Sequence, residues 1–133
     1  MLDIFITSTL HSDWNLVFNP KLCTALEEQG IKCYLPQRDT DQKGSRIEKF
    51  QQNIKSIHDS SIVLGVSMNE TPNVGIEIGF AHGIGKPVII LTDKKHEIPL
   101  MAEGTTTNIL RVSNLEATND YIEELLNLIK LKK

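Results

Sequence analysis

The sequence predicts an α/β sandwich, and three observations carry that prediction. Short runs rich in Ile and Val alternate with longer segments of helical period along the whole chain. The boundaries fall on helix and strand breakers, among them Gly30, Pro36 and the pair Gly85 and Pro87. The run Ile62-Val63-Leu64-Gly65-Val66 is apolar throughout and reads as a buried strand.

Taken in order, the first strand is expected over residues 3–7, followed by a helix over 13–29 that Gly30 closes. A second strand covers 32–35 and stops at Pro36. A polar loop, 37–44, leads to a helix over 45–58 and then to the third strand, 62–66. A short helix begins after Asn73, a good N-cap. Ile76, Phe80 and Ile84 recur along it at helical spacing, which predicts the face that packs on the sheet. Gly85 and Pro87 end it, and the fourth strand runs 88–92. A polar connection holding Pro99-Leu100-Met101 precedes a fifth strand, 109–112. The last helix, 115–131, places Ile122, Leu125, Leu126 and Ile129 on one face, with Lys130, Lys132 and Lys133 as its solvated end. Repeats, low-complexity tracts and linkers do not interrupt this rhythm, so residues 1–133 read as one domain. Five strands so connected predict a flavodoxin-like, or Rossmann-like, three-layer sandwich with a five-stranded parallel sheet in the order 2-1-3-4-5.

Composition excludes several function classes. The net charge is −3 and no Lys/Arg cluster is long enough to suggest nucleic acid. The N-terminus runs straight into a strand without a basic region or a long apolar segment, so a cytoplasmic protein with no membrane insertion is expected. Cys23 and Cys33 read as reduced, buried thiols. His11, His58, His82 and His96 show no ligand spacing with them, and neither metal nor cofactor is expected.

The predicted strand order places the switch point between strands one and three, where open α/β sheets bind ligands. Two loops should line it: residues 7–12, which begin Thr7-Ser8-Thr9, and 67–77, which end at Glu77. Glu77 lies in the first turns of its helix, where the macrodipole favours an ionised carboxylate, and a nucleophilic carboxylate needs that form. Gly75 and Gly79 flank it and leave space for a ligand close to the backbone. Hydroxyls facing an acid across a crevice suit a polyol such as a sugar. A phospho-acceptor receiver is excluded, because Thr7, Ser8 and Ser67 stand where it needs acids. The chain lacks the usual glycine of a flavin-binding loop, and Gly79, Gly83 and Gly85 are misplaced for a dinucleotide fingerprint. His11 and Trp14 follow the first strand and are candidates to cover the crevice, whereas the helical offset of His82 points it off the Glu77 face.

These residues also carry a family resemblance. Ile4-Phe5-Ile6, Tyr34-Leu35-Pro36-Gln37-Arg38-Asp39, Glu77-Ile78-Gly79-Phe80-Ala81 with Gly85-Lys86-Pro87-Val88, and Pro99-Leu100-Met101 together resemble the nucleoside 2-deoxyribosyltransferase family over nearly the full length. More distantly, the Thr71-Pro72-Asn73-Val74 turn is similar to that of nucleotide N-hydrolases and TIR-like domains. The resemblance implies that Glu77 attacks the anomeric carbon of a deoxynucleoside, that the base leaves, and that a second base or water collects the sugar. It implies substrate contacts from Phe5, Thr7, Ser8, Gln37, Arg38, Asn53, Asn73, Gly75 and Met101, and a homo-oligomer whose neighbouring subunit closes the site. The chain departs from the family at several of these positions. Phe5 replaces a tyrosine beside the nucleophile, Asn53 and Asn73 replace acids, and Pro99 stands near an asparagine that a neighbour supplies. Three readings follow: a deoxyribosyltransferase, a hydrolase of nucleosides, nucleotides or NAD, and a nucleotide-binding module without catalysis.

Overall fold

In the computed structural model, which describes residues 1–132, five parallel strands form one sheet in the order β2-β1-β3-β4-β5. The strands are β1 (Leu2–Thr7), β2 (Cys33–Tyr34), β3 (Ser60–Val66), β4 (Val88–Asp93) and β5 (Asn108–Val112). The helices are α1 (Asp13–Glu27), α2 (Pro36–Asp39), α3 (Arg46–Asp59), α4 (Pro72–Gly83), α5 (Leu100–Thr105) and α6 (Ile122–Lys132), with a 3-10 turn at Thr118–Asp120. Lys133 lies outside the described residues.

Side-chain alternation along the strands builds two cores. Ile4, Ile6, Ile62, Leu64, Ile89 and Leu91 pack against Phe18, Leu22 and Leu26 of α1 and Leu125, Leu126 and Ile129 of α6. Phe5, Val63, Val88 and Ile90 point the other way, toward Ile57 of α3 and Val74, Ile78 and Ala81 of α4. Strands covered on both faces are apolar along their buried middle, which is why residues 62–66 of β3 and 88–91 of β4 show no polar alternation. The register sets Phe5 between Tyr34 and Val63, and Thr7 opposite Gly65. Cys23 and Cys33 are buried and free. No helix among the described residues is long and apolar enough to cross a membrane.

Four local expectations are corrected. The 37–44 loop begins with helix α2, because Pro36 supplies a pre-set first residue and the Asp39 carboxylate accepts the Leu35 N–H at 2.9 Å. Residues 100–105 are helical rather than a plain connection. The last helix starts at Ile122, not 115; Tyr121, whose hydroxyl donates to Leu115 O at 2.5 Å, holds the intervening turn. Helix α4 starts two residues early: Thr71 is its N-cap and Pro72 its first residue, so Asn73 sits inside the first turn.

The fifth correction concerns the packed face of α4. It is formed by Val74, Ile78 and Ala81, with Phe80 of the expected stripe packed against them, while Ile76 is 62% exposed and Ile84 39%. The helix is apolar almost all round, so periodicity alone does not distinguish the two stripes.

Candidate active site

Glu77 stands on the edge of the buried face of α4, beside the C-terminal end of β1. Thr7, fully buried at that end, donates its hydroxyl to Glu77 Oε1 at 2.8 Å. Gly65 makes this approach possible. A Cβ there would lie 3.1 Å from Ile78 Cδ1 and 3.6 Å from Thr7 Cγ2, so the bare backbone lets α4 settle onto β3 beside Thr7.

Burial pushes the Glu77 carboxyl up to about 7, against the lowering effect of the Thr7 hydrogen bond. The dipole argument made from sequence is thereby corrected. Glu77 is the sixth residue of α4, beyond the first turn in which the helix field acts, and desolvation dominates. A carboxyl that titrates near neutrality can serve as a nucleophile once ionised, and as an acid or base while it exchanges its proton.

The two loops expected to line the crevice are joined by a buried amide that sequence reading did not single out. Asn15 of α1 donates to Ser8 Oγ at 3.1 Å and to Met68 O at 3.2 Å, and its Oδ1 accepts from Asn69 at 3.1 Å. Ser8 is therefore placed by α1 and by the β3–α4 loop together. Asn19 does the same for Gln37, donating to its Oε1 at 3.0 Å, while Gln37 donates to Leu16 O at 3.2 Å.

Other candidates are positioned differently from the expectation. Arg38 is bound to α1, on the face of the sheet opposite α4. It pairs with Glu27 and Asp39, each at 2.8 Å, and donates to Cys33 O at 3.2 Å. These bonds occupy its guanidinium as a structural strut and hold the Glu27 carboxyl below its usual range. Phe5 has no exposed surface and stacks on Tyr34 at 5.5 Å, so its ring is held within the core. Trp14 stacks on Phe18 and donates to Glu116 at 3.1 Å, which ties it to α1 and to the segment that follows β5. Asn73 is exposed on the first turn of α4.

Asn53 is held in a relay that sequence gave no sign of. Thr40 Oγ1 donates to Asn53 Oδ1 at 2.6 Å and lies 2.8 Å from the Tyr34 hydroxyl. With the Thr40 hydrogen spent on Asn53, the Tyr34 hydroxyl is the donor to Thr40. The Asn53 amide nitrogen makes no hydrogen bond among the described residues, so the position keeps a free hydrogen-bond donor.

Gly75 and Gly79 do not open toward Glu77. They border a cavity of about 280 Å³ whose lining does not include Glu77 and takes in Ile78, Ile90, Pro99 and Met101. Met101, 79% exposed, stands at its edge. Among the described residues no group of three or more His, Cys, Asp or Glu is arranged to hold a metal ion.

The sequence profile of the nucleoside 2-deoxyribosyltransferase family matches residues 4–128. The chain belongs to that family. Membership makes it an enzyme of a family that acts on nucleosides, which the resemblance of its motifs had implied. Solved structures agree in fold across nearly the whole chain. A conserved protein from Enterococcus faecalis superposes with a TM-score of 0.78 at 18% identity, covering 100% of this chain and 99% of that one. The 2-deoxyribosyltransferase of Bacillus psychrosaccharolyticus gives 0.74 at 18% identity, covering 90% and 91%. The CMP N-glycosidase of Clostridium botulinum gives 0.72 at 16% identity, covering 92% and 98%. A comparison with curated protein sequences returns no significant match.

Proposed function

We propose that this nucleoside 2-deoxyribosyltransferase family member breaks the N-glycosidic bond of a nucleoside or nucleotide through a covalent sugar ester on Glu77. The observation that carries the reading is the half-buried carboxylate at the C-terminal edge of the sheet, fixed through one oxygen by Thr7. That bond leaves Oε2 to attack the anomeric carbon as the bond to the base breaks. The bonding electrons leave with the base, which takes up a proton from solvent. A second base, or water, then attacks the same carbon, gives up a proton to solvent and releases the Glu77 carboxylate.

Asn53 would meet the base as a donor, stabilising a carbonyl or ring nitrogen instead of protonating it. Water as acceptor needs a path to the carboxylate, which is of intermediate burial within the chain. Sugar transfer needs that water excluded. Exposed Leu100, Met101 and Ile76 support a second copy of the chain as the cover, with Met101 near the interface.

The deciding experiment is mass spectrometry of the protein after brief incubation with deoxyadenosine, deoxycytidine, thymidine or CMP. A sugar adduct on the peptide containing Glu77, absent from Glu77→Gln, is expected. Turnover of any of these by Glu77→Gln within about tenfold of the parent would overturn the reading, because losing a nucleophile ordinarily costs far more. Product analysis with and without an acceptor base separates transfer from hydrolysis.

A further inference from the structure

A cavity lies between α4 and α5, and Glu77 is not part of its lining. Its walls are Val74 and Ile78 from the sheet-facing side of α4, Ile90 of β4, and Pro99, Met101 and Ala102 at α5. Its volume of about 280 Å³ compares with the about 150 Å³ of an engineered apolar cavity that takes up benzene. A substituted single ring or a small bicycle fits.

Two glycines keep it open. Gly75 and Gly79 lie one turn apart on α4 and line the void, and a Cβ at either would meet nothing within 4 Å. A side chain added at either position would start from the wall of the cavity.

One end of the cavity is polar, and its chemistry is one-sided. Ser67 donates its hydroxyl to Glu70 Oε1, and His96 Nε2 lies 2.7 Å from the same oxygen. Burial works against the charge on Glu70, but the bonds from Ser67, its own backbone N–H and His96 outweigh it, so its carboxyl titrates below the usual range. Thr105, the other hydroxyl in the wall, donates to Ala102 O at 2.8 Å. The hydroxyl hydrogens are thus spent inside the protein. The side-chain capacity left on these lining residues is acceptor capacity, on Glu70 Oε2 and on the Ser67 and Thr105 oxygens.

We propose that the cavity between α4 and α5 is a second ligand site, separate from Glu77, for a small ring compound that bears an amino group. The ring fills the apolar chamber between Ile78, Ile90 and Ala102. The amino group donates to Glu70 at the polar end. A ring bearing a carboxylate is refused, because it brings acceptors and negative charge to a carboxylate already saturated on one oxygen. Amino-substituted heterocycles belong to the accepted class.

The test uses the whole chain, with its Ile and Met methyl groups isotopically labelled, titrated in parallel with benzylamine, benzene and benzoate. Saturable shifts at Ile78, Ile90 and Met101 are expected with benzylamine. Its binding should be tighter than that of benzene by about tenfold or more, the scale of one charge-assisted hydrogen bond, and benzoate should not bind. Glu70→Gln should reduce benzylamine to the level of benzene. Gly79→Leu should abolish binding of both, with Ala102→Leu as the second filling variant if the first does not fold. Glu77→Gln should bind benzylamine as the parent does. No saturation by about 10 mM benzylamine, equal binding of benzylamine and benzene, or undiminished binding in a folded filling variant overturns the proposal.

Discussion

Replacing Thr7 by valine removes the hydroxyl that donates to Glu77 Oε1 while keeping the shape of a fully buried side chain. The bond favours the charged carboxylate, so its loss must raise a carboxyl that burial already holds at about 7. A hydrogen bond to a charged group contributes about 1.5–3 kcal/mol, and one pKa unit corresponds to about 1.4 kcal/mol. Glu77 should therefore titrate roughly one to two units higher in Thr7→Val, between about 8 and 9. Thr7→Ser keeps the hydroxyl and should titrate close to the parent. The assay is carbon NMR of the labelled glutamate carboxyls across the pH range, with Glu77→Gln identifying the resonance. It needs no substrate. Once a substrate is in hand, the acid limb of kcat/KM should move to higher pH in Thr7→Val by the same amount, because the attacking form is the ionised one. A parent Glu77 titrating near 4.5 would refute the burial argument. A Thr7→Val titration identical to the parent would refute the role given to Thr7.

Further perturbations test neighbouring parts of the structure. The folded-state pKa of Glu77 lies above its ordinary 4.5, so the folded protein binds the proton more tightly than the unfolded chain between these values, and the contribution of Glu77 to stability falls as pH rises from about 4.5 to about 7. That fall is worth roughly 3 kcal/mol. Glu77→Gln should abolish it, and urea unfolding of variant and parent at pH 5 and pH 8 checks the sign. Gly65→Val, which drives methyl groups into Ile78 and Thr7, should cost about 1–3 kcal/mol and weaken the Thr7–Glu77 pairing, whereas Gly65→Ala should be milder because only the flexible end of Ile78 must yield. Asn53→Asp should change the ratio of rates among bases in a panel of deoxynucleosides, and unchanged ratios would remove Asn53 from the base site. Sedimentation at micromolar concentration should show at least a dimer, and Met101→Asp should weaken it; a monomer that still moves sugar between bases would show that no second copy is needed.

The sheet and its order were legible in the sequence because a buried parallel sheet leaves a local record. Each strand is a short apolar run, each crossover is long enough for a helix, and Gly30, Pro36, Gly85 and Pro87 mark the junctions. Glu77 stood out for a similar reason, as an acid at a strand-to-helix junction on a short apolar helix. Local pattern stops being informative where the choice depends on what lies across the fold. Two stripes of α4 are equally apolar, and only contact with Gly65 and Ile90 selects Val74, Ile78 and Ala81. That choice sends Gly75 and Gly79 toward a separate cavity and brings Glu77 to Thr7, seventy residues away in sequence. The charge of Glu77 follows from the same choice: a helix dipole can be read from sequence, but desolvation exists only once the helix is docked, and here it is the larger effect. The amides and hydroxyls that position other groups, Asn15 for Ser8, Asn19 for Gln37 and Thr40 for Asn53, were invisible beforehand because a polar side chain shows its partner only after the chain has folded. The Ser67-Met68-Asn69-Glu70 spacing did hold a local hint of the Ser67–Glu70 bond, but its pairing with His96 needed β3 and β4 to lie side by side.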